Sequence, residues 1–143
     1  MVTDVEDHRS SGVASALADR QECEDVIYRS FEMIDGGRAT EAGSLFVADG
    51  SHTVEGNVAS GPGLAKFFED REAMVDRRTR HALSNLRFEP VARDEATMRY
   101  ISVVYVLPEP SPGAVADITD HLVREDGRWR LAHRKIEIVA GGR

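Results

Sequence analysis

The feature that most constrains this chain is the change in residue pattern near its midpoint. Four segments of the second half are rich in β-branched and aromatic residues, and this composition predicts four strands, at residues 79–91, 96–107, 114–125 and 128–139. Asp126-Gly127 separates the last two segments and is a strong signal for a tight hairpin. The segment 108–113 contains three prolines, which a sheet interior excludes, and is short enough to connect neighbouring strands. The second half is therefore expected to form an antiparallel sheet.

The first half follows a helical pattern instead. Leu17, Ile27, Phe31 and Ile34 fall near one side of a helix that starts at about residue 13, and the Gly36-Gly37 pair is expected to end it. Residues 1–12 are polar and are interpreted as a flexible arm.

Two further helices are predicted before the sheet. The second starts near Ala39 and is expected to end at the turn signal Asp49-Gly50. Residues 51–55 form a weak strand candidate. Gly61-Pro62-Gly63 then opens a third helix with an apolar stripe, over residues 63–75. Helices followed by an antiparallel sheet predict an α+β fold, with one domain over residues 13–143.

Composition excludes several classes of function. The chain of 143 residues has a formal net charge of −7 and no Lys/Arg run, so it lacks the footprint of a nucleic-acid-binding protein. No stretch approaches the roughly 18 apolar residues of a membrane span, and the first thirty residues lack a secretory h-region. A cytoplasmic protein with no nucleic-acid or membrane partner is therefore expected.

Cofactor motifs are not found either. Cys23 is the single cysteine, so neither an intrachain disulfide nor a cysteine-based zinc site is available. The five histidines lack metal-ligand spacing, and Gly61-Pro62-Gly63 lacks the Lys-Ser/Thr pair of a phosphate loop. The expectation is an activity without metal or other cofactor.

Tyr28 and Asp35 are candidate functional residues on the first helix. They lie seven residues apart, which is close to two turns, so they share a helix face with the core-like Phe31. A carboxylate on such a face is costly unless it is paired. The alternative is that Asp35 only helps to end the helix.

The segment 79–86 supplies a second candidate group. Because strand side chains alternate, Thr79, His81, Leu83 and Asn85 share one face. A half-buried histidine is well suited to proton transfer near neutral pH, although a structural core histidine would follow the same pattern.

Other residues are candidates for the lining of a pocket. Phe67 lies on the third helix, and Tyr105, Asp120 and His133 lie on later strands. Strand alternation alone cannot place them, because one bulge inverts the facing of everything beyond it.

Four segments together resemble the SnoaL-like branch of the nuclear transport factor 2-like superfamily, and they comprise residues 27–50, 61–71, 78–86 and 120–138. The resemblance implies a cone-shaped α+β barrel, in which three helices wrap a strongly curved sheet around an apolar pocket. Within that superfamily, the segments resemble dehydratases of the scytalone dehydratase and bile acid 7α-dehydratase type.

In those dehydratases a His on the strand after the third helix and an Asp at the end of the first helix act with Tyr residues in the pocket. The resemblance implies that His81 and Asp35 take these two roles, that Tyr28 is the pocket tyrosine, and that Tyr105 lies near a further polar position.

These observations predict a cofactor-independent dehydratase, isomerase or cyclase acting beside a carbonyl of an apolar cyclic, polyketide- or steroid-like molecule. Two alternatives remain open. One is a non-catalytic module that binds a small molecule or a partner. The other is an epoxide hydrolase that would use Asp117, Asp120 and Arg99. A homo-oligomer, dimer or trimer, is also expected, on the premise that Trp129, Ile136 and Ile138 form an exposed sheet face.

Overall fold

The computed structural model describes residues 3–142, with side chains from residue 12 onward. Its helices are α1 (Thr3–Asp35), α2 (Ala39–Gly43) and α3 (Pro62–Ala73). Its strands are β1 (Phe46–Val54), β2 (Asn57–Ser60), β3 (Thr79–Ala92), β4 (Glu95–Val106), β5 (Pro112–Glu125) and β6 (Arg128–Gly141). None of the helices within this part of the chain is long and apolar enough to cross a membrane.

The strands form one curved sheet in the order β2-β1-β6-β5-β4-β3. All neighbours are antiparallel except β1 and β6, which run parallel. The predicted α+β class and the four predicted strands are confirmed. Asp126 and Gly127 both have positive φ, as the tight hairpin between β5 and β6 requires. The short strand β2 was not predicted, because its four residues contain few apolar side chains.

The first helix begins earlier than its sequence pattern predicted. The backbone is helical from Thr3 rather than from about residue 13. Helix-favouring alanines and the absence of proline in residues 3–35 allow this extension without apolar periodicity. Leu17, which was expected in the apolar stripe, is 60% exposed. The flexibility expected for residues 1–12 stays a prediction.

The second helix is shorter than predicted, and Asp49-Gly50 is not its terminus. Helix α2 ends at Gly43, and both residues lie inside β1. Gly50 is buried where the β1–β6 register shifts, and a Cβ there would lie 2.9 Å from the Val47 carbonyl oxygen. The glycine is therefore needed because the backbone passes close to it within a strand. The sequence alone does not distinguish such a glycine from one in a turn.

A bulge in β3 changes which side chains face the helices. The β3–β4 register shifts between Ser84 and Arg87, and Asn85 has a φ of 58°. Before the bulge, Thr79, His81 and Leu83 face inward. After it, the inward side chains are Leu86 and Phe88, which pack against the core. One inserted residue thus moves the inward positions from odd to even numbers.

Helix α1 packs on the sheet through a narrow stripe at helical spacing, formed by Cys23, Val26, Ile27, Ser30 and Phe31. All five are buried. Burial raises the pKa of the Cys23 thiol to about 12, which fits a packing residue rather than a nucleophile.

Arg134 and Asp120 form a buried ion pair beneath α1. The guanidinium Nε and Nη2 donate to the two carboxylate oxygens of Asp120 at 2.9 Å each, and Nη2 also donates to Ser30 Oγ at 3.0 Å. The Tyr100 hydroxyl donates to Asp120 Oδ2 at 2.6 Å. Burial alone would lower the pKa of Arg134, but the Asp120 charge raises it above its ordinary value. The guanidinium therefore keeps its charge, and the hydrogen bonds of Arg134, Asp120, Tyr100 and Ser30 join β4, β5 and β6 to α1.

The sheet face that carries Trp129 and Ile136 was expected to be exposed, but it is packed against the core. Trp129 is 5% exposed, and its ring nitrogen donates to Asp19 of α1 at 3.3 Å. Ile136 packs against the core. The expectation was wrong because α1 and the core cover this face, and the bulge at Ala132 puts Trp129 and Ile136, which have different parities on β6, together on that inward side. The homo-oligomer stays a prediction, but an exposed apolar face at Trp129 and Ile136 no longer supports it.

His52 of β1 is a buried histidine near this ion pair. It is 4% exposed, and its ring centroid lies 4.4 Å from that of Phe67. Burial, together with the charges of Arg134 and His133, lowers its pKa to about 4. His52 is therefore neutral in the folded protein near neutral pH.

Replacing Asp120 with Ala is expected to lower the free energy of unfolding by about 3–5 kcal/mol, because the Arg134 charge would stay buried without a partner. Urea denaturation measures this. The double variant Asp120→Leu/Arg134→Met should recover most of the loss, since it removes both charges. The matched control is Asp70→Ala, which breaks the exposed pair with Lys66 and should change little. A loss no larger than that of the control would contradict the role of the ion pair.

The His52 pKa predicts a pH dependence of stability. Between its unfolded value near 6.5 and its folded value of about 4, the unfolded chain binds a proton that the folded chain does not. The wild-type free energy of unfolding should therefore fall, relative to His52→Gln, as pH drops through this window. The size is up to about 3 kcal/mol. Urea denaturation at several pH values tests this, with exposed His121→Gln as control. Parallel pH profiles of wild type and His52→Gln would refute it.

Candidate active site

The structure brings Asp35 and His81 into direct contact. Asp35 is the last residue of α1, and His81 lies near the start of β3. His81 Nδ1 and Asp35 Oδ1 are 2.7 Å apart, and the His81 backbone N–H donates to Asp35 Oδ2 at 2.8 Å. The side chains are 16% and 8% exposed, respectively. The contact fixes both the ring and the carboxylate.

The Asp35 carboxylate is held in its ionised form. Burial alone would raise its pKa, but the hydrogen bonds from the His81 ring and backbone, the His81 charge and the Thr79 hydroxyl lower it below its ordinary value. An ionised carboxylate has no proton to donate, so Asp35 can only accept a hydrogen bond from the His81 ring. Nδ1 therefore carries hydrogen toward Asp35, and Nε2 of neutral His81 is left with a free lone pair.

The position of Asp35 is unfavourable on local grounds. A carboxylate at a helix C-terminus faces the negative end of the helix dipole, and the last turn of α1 contains no basic residue. The compensation comes from β3, because Thr79 and His81 supply three donors to this carboxylate. The alternative that Asp35 merely ends the helix does not explain these contacts.

A small cavity of about 120 Å³ lies beside the pair. It is lined by the side chains of two elements, namely Tyr28, Phe31, Glu32, Asp35, His81 and Leu83. Tyr28 is 41% exposed and lies on the α1 face that was predicted. The site therefore combines an imidazole, a carboxylate and a phenol with apolar walls.

Phe31 separates this cavity from the buried ion pair. Its ring centroid lies 4.8 Å from that of His81, and the Arg134 guanidinium carbon lies 4.5 Å from the Phe31 centroid. The ring thus receives a cation–π contact on one side and supports the imidazole on the other.

Several predicted pocket residues are not brought to the cavity. Asn85 is the exposed bulge residue of β3. Tyr105 pairs with Arg80, and His133 pairs with His121, so both lie on the outer face of the sheet, opposite His81. The bulge explains why alternation misplaced Asn85, whereas Tyr105 and His133 could not be placed before the strand pairing was known.

Phe67, which is 38% exposed, and the buried Asp120 do not line the cavity. The Phe67 ring packs against His52, and the Asp120 carboxylate accepts hydrogen bonds from Arg134 and Tyr100. The three residues considered for an epoxide hydrolase do not lie together either. Asp117 and Arg99 are exposed on the outer face, whereas Asp120 is buried on the inner face.

Sequence reasoning missed three residues of this region, Glu32, Arg71 and Arg134, and it placed Thr79 on the His81 face without giving it a role. Glu32 lines the cavity. Thr79 and Arg71 support the Asp35 carboxylate through a chain of hydrogen bonds, and Arg134 supports the Phe31 wall. The role of Thr79 could have been found, because it shares a strand face with His81 at a spacing of two. Arg134 could have been found only with the β5–β6 register, which pairs it with Asp120.

The fold and the site define a class of small α+β proteins in which a helix-terminal carboxylate meets a strand histidine beside a cavity. A family model for the SnoaL-like domain matches residues 15–135. The chain belongs to the SnoaL-like family, as the sequence resemblance implied.

Solved structures share this fold. Rv3472, a protein of unknown function from Mycobacterium tuberculosis, is 25% identical, with 88% of this chain and 75% of that chain covered and a TM-score of 0.79. A nuclear transport factor 2-like protein from Novosphingobium aromaticivorans is 24% identical, with coverages of 99% and 94% and a TM-score of 0.80. A provisionally named scytalone dehydratase from the same species is 22% identical, with coverages of 90% and 89% and a TM-score of 0.78. No curated protein matches the chain.

The lowered Asp35 pKa predicts an acid-dependent contribution to stability. It is present above the ordinary carboxyl value near 3.8 and is lost as pH falls through the lower folded value. The stability difference between wild type and Asp35→Asn should therefore shrink on acidification from about pH 5 to pH 2, as measured by urea denaturation. Asp117→Asn on the exposed outer face is the control. A difference that is the same at all these pH values would contradict the assignment.

Proposed function

We propose that this chain is a cofactor-independent acid–base enzyme, a dehydratase, isomerase or cyclase, acting beside a carbonyl of an apolar cyclic, polyketide- or steroid-like molecule. The observation that carries the proposal is the 2.7 Å contact between His81 Nδ1 and Asp35 Oδ1 beside a cavity. A pair at this distance next to a cavity favours an enzyme over a purely structural histidine.

His81 is the proposed general base and acid. With Nδ1–H donated to Asp35, Nε2 can take a proton from the carbon next to a substrate carbonyl. The imidazolium that forms would lie against the Asp35 carboxylate, which stabilises its charge. Asp35 is therefore the residue that orients His81, and it does not itself gain the proton.

Tyr28 is the proposed oxyanion donor. Its phenol borders the same cavity, and a hydroxyl donor there would stabilise the negative charge that develops on the carbonyl oxygen as the α-proton leaves. The neutral phenol gives this help without competing with His81 for the substrate proton.

Three reactions can follow the first proton transfer. In elimination, His81 returns the proton to a β-hydroxyl, which leaves as water while the enolate electrons form a double bond. In isomerisation, the proton returns to a different carbon. In cyclisation, the enolate carbon attacks a second carbonyl of the substrate and His81 protonates the new alkoxide. A neighbour of the same fold is named as a dehydratase, in accord with the first of these.

The cavity dimensions restrict how substrate binds. About 120 Å³ is smaller than the 300–1,000 Å³ typical of drug-sized ligands, so the cavity holds only the reacting end of a polycyclic molecule. The exposed side chains Tyr28 and Glu32 form its rim. The rest of the substrate would lie across this rim, and the apolar side chains of Phe31 and Leu83 favour a hydrocarbon skeleton.

Deuterium exchange tests the common first step without knowledge of the substrate. β-Tetralone, an apolar bicyclic ketone, is incubated with protein in D₂O, and deuterium at the α-carbon is followed by NMR. His81→Gln is expected to lower enzyme-catalysed exchange by about 10²–10⁴-fold, because it removes the base. Tyr28→Phe is expected to lower it by about 10²-fold, because it removes the oxyanion donor.

The matched control is His121→Gln, which removes an exposed histidine on the outer sheet face and should leave exchange unchanged. Exchange that is equally fast in wild type and His81→Gln would overturn the enzymatic proposal. A non-catalytic ligand-binding module would then be the better description of the site.

A further inference from the structure

Asp35 has a third partner that the proposed mechanism does not use. The Thr79 hydroxyl oxygen lies 2.7 Å from Asp35 Oδ1, the same oxygen that meets the His81 ring. Thr79 is 2% exposed and is not among the side chains that line the cavity. It therefore touches the carboxylate but is placed away from a bound substrate.

Arg71 of α3 sets the direction of this hydrogen bond. Its Nη2 donates to Thr79 Oγ1 at 3.1 Å and to the Arg77 carbonyl oxygen at 3.1 Å. A guanidinium can only donate, and a hydroxyl has a single proton. Because Thr79 accepts from Arg71, its own proton is directed to Asp35.

We infer that Arg71 and Thr79 form a positioning relay for the His81–Asp35 pair, which orients the Asp35 carboxylate and keeps it an acceptor that cannot take the proton from His81. The inference rests on the proposed function, because the relay matters to turnover only if His81 moves a proton. Arg71 and Thr79 are positioning residues, since both act through Asp35.

The relay connects all three elements that meet at the site. Asp35 ends α1, Thr79 starts β3, and Arg71 lies in the last turn of α3. The charged and titratable groups around the carboxylate are His81 on β3, Arg71 on α3 and Glu32 on α1, with Arg77 in the loop before β3. Neither arginine lines the cavity, so the Arg71 charge can stabilise the carboxylate without occupying the space for substrate.

The relay has a consequence for the proton-transfer step. When His81 takes a substrate proton, the imidazolium could pass its Nδ1 proton to Asp35, which would leave a neutral ring whose Nε2–H is a much weaker acid for returning the proton to the substrate. A carboxylate that already accepts from Thr79 and the His81 backbone is a weaker base. The proton therefore stays on the imidazole, ready for the substrate.

Carbon-detected NMR titration of the Asp35 carboxyl tests the relay without any substrate. The pKa of Asp35 is expected to rise in Thr79→Val, which removes the hydroxyl donor while preserving shape, and to stay at the wild-type position in Thr79→Ser, which restores it. Arg71→Met should also raise it, through loss of the charge and of the hydroxyl orientation. Because Thr79 is buried, this second variant keeps the test valid if Thr79→Val does not fold.

Exchange of deuterium into β-tetralone supplies the second readout. Thr79→Val and Arg71→Met are expected to lower kcat about tenfold with KM unchanged, because neither side chain lines the cavity, and Thr79→Ser should retain kcat. Lys66→Met is the matched control, since it removes an exposed cation of the same helix that pairs with the exposed Asp70.

The two possible failures are distinguishable. An Asp35 titration that is unchanged in both Thr79→Val and Arg71→Met would overturn the relay whatever the activity, and so would a raised pKa with wild-type kcat. Full exchange in His81→Gln would instead overturn the proposed function, whatever the titration shows.

Discussion

The buried pair between Arg134 and Asp120 is the interaction on which the rest of the structure depends. It joins β6 to β5, and hydrogen bonds connect it to the Tyr100 hydroxyl on β4 and to Ser30 Oγ on α1. Two charges in a core are costly unless they are paired and hydrogen-bonded, so the four elements must meet in one arrangement. The same guanidinium also lies over Phe31, whose ring forms a wall of the candidate active site.

Two contacts from different parts of the fold therefore fix the position of the His81 ring. Phe31 supports the His81 ring from the core, and Asp35 holds the same ring from the end of α1. Neither support comes from a flexible loop, since α1 and β3 are both regular elements. Groups held on regular elements keep their relative positions during a reaction, which favours proton transfer over short distances.

The fold class and the central pair could be predicted from the sequence, for identifiable reasons. Four β-rich segments with short connections leave few arrangements other than an antiparallel sheet. Asp35 shares a helix face with the core-like Phe31, and a carboxylate on such a face is costly unless it is paired, which marks it as a residue with a distant partner. The resemblance to SnoaL-like proteins indicated that the partner is His81.

What could not be predicted depends on strand register. The bulge in β3 inverts the alternation that grouped Asn85 with His81, and only the strand pairing shows that Tyr105 and His133 lie on the outer face. The partnership of Asp120 with Arg134 likewise exists only once β5 and β6 are aligned. The long helix α1 was truncated in the prediction because its early residues have no apolar face, and apolar periodicity reports packing rather than helicity.

The bulge at Asn85 has a meaning beyond local geometry. It divides β3 into two stretches with opposite phase, one carrying Thr79 and His81 to the cavity and the other carrying Leu86 and Phe88 to the core. The extra residue accounts for the change from odd to even inward positions. The polar residues of one stretch and the packing residues of the other can therefore vary independently. A lineage could exchange the polar residues of the first stretch without repacking the second, whereas loss of this single residue would turn one of the two stretches outward.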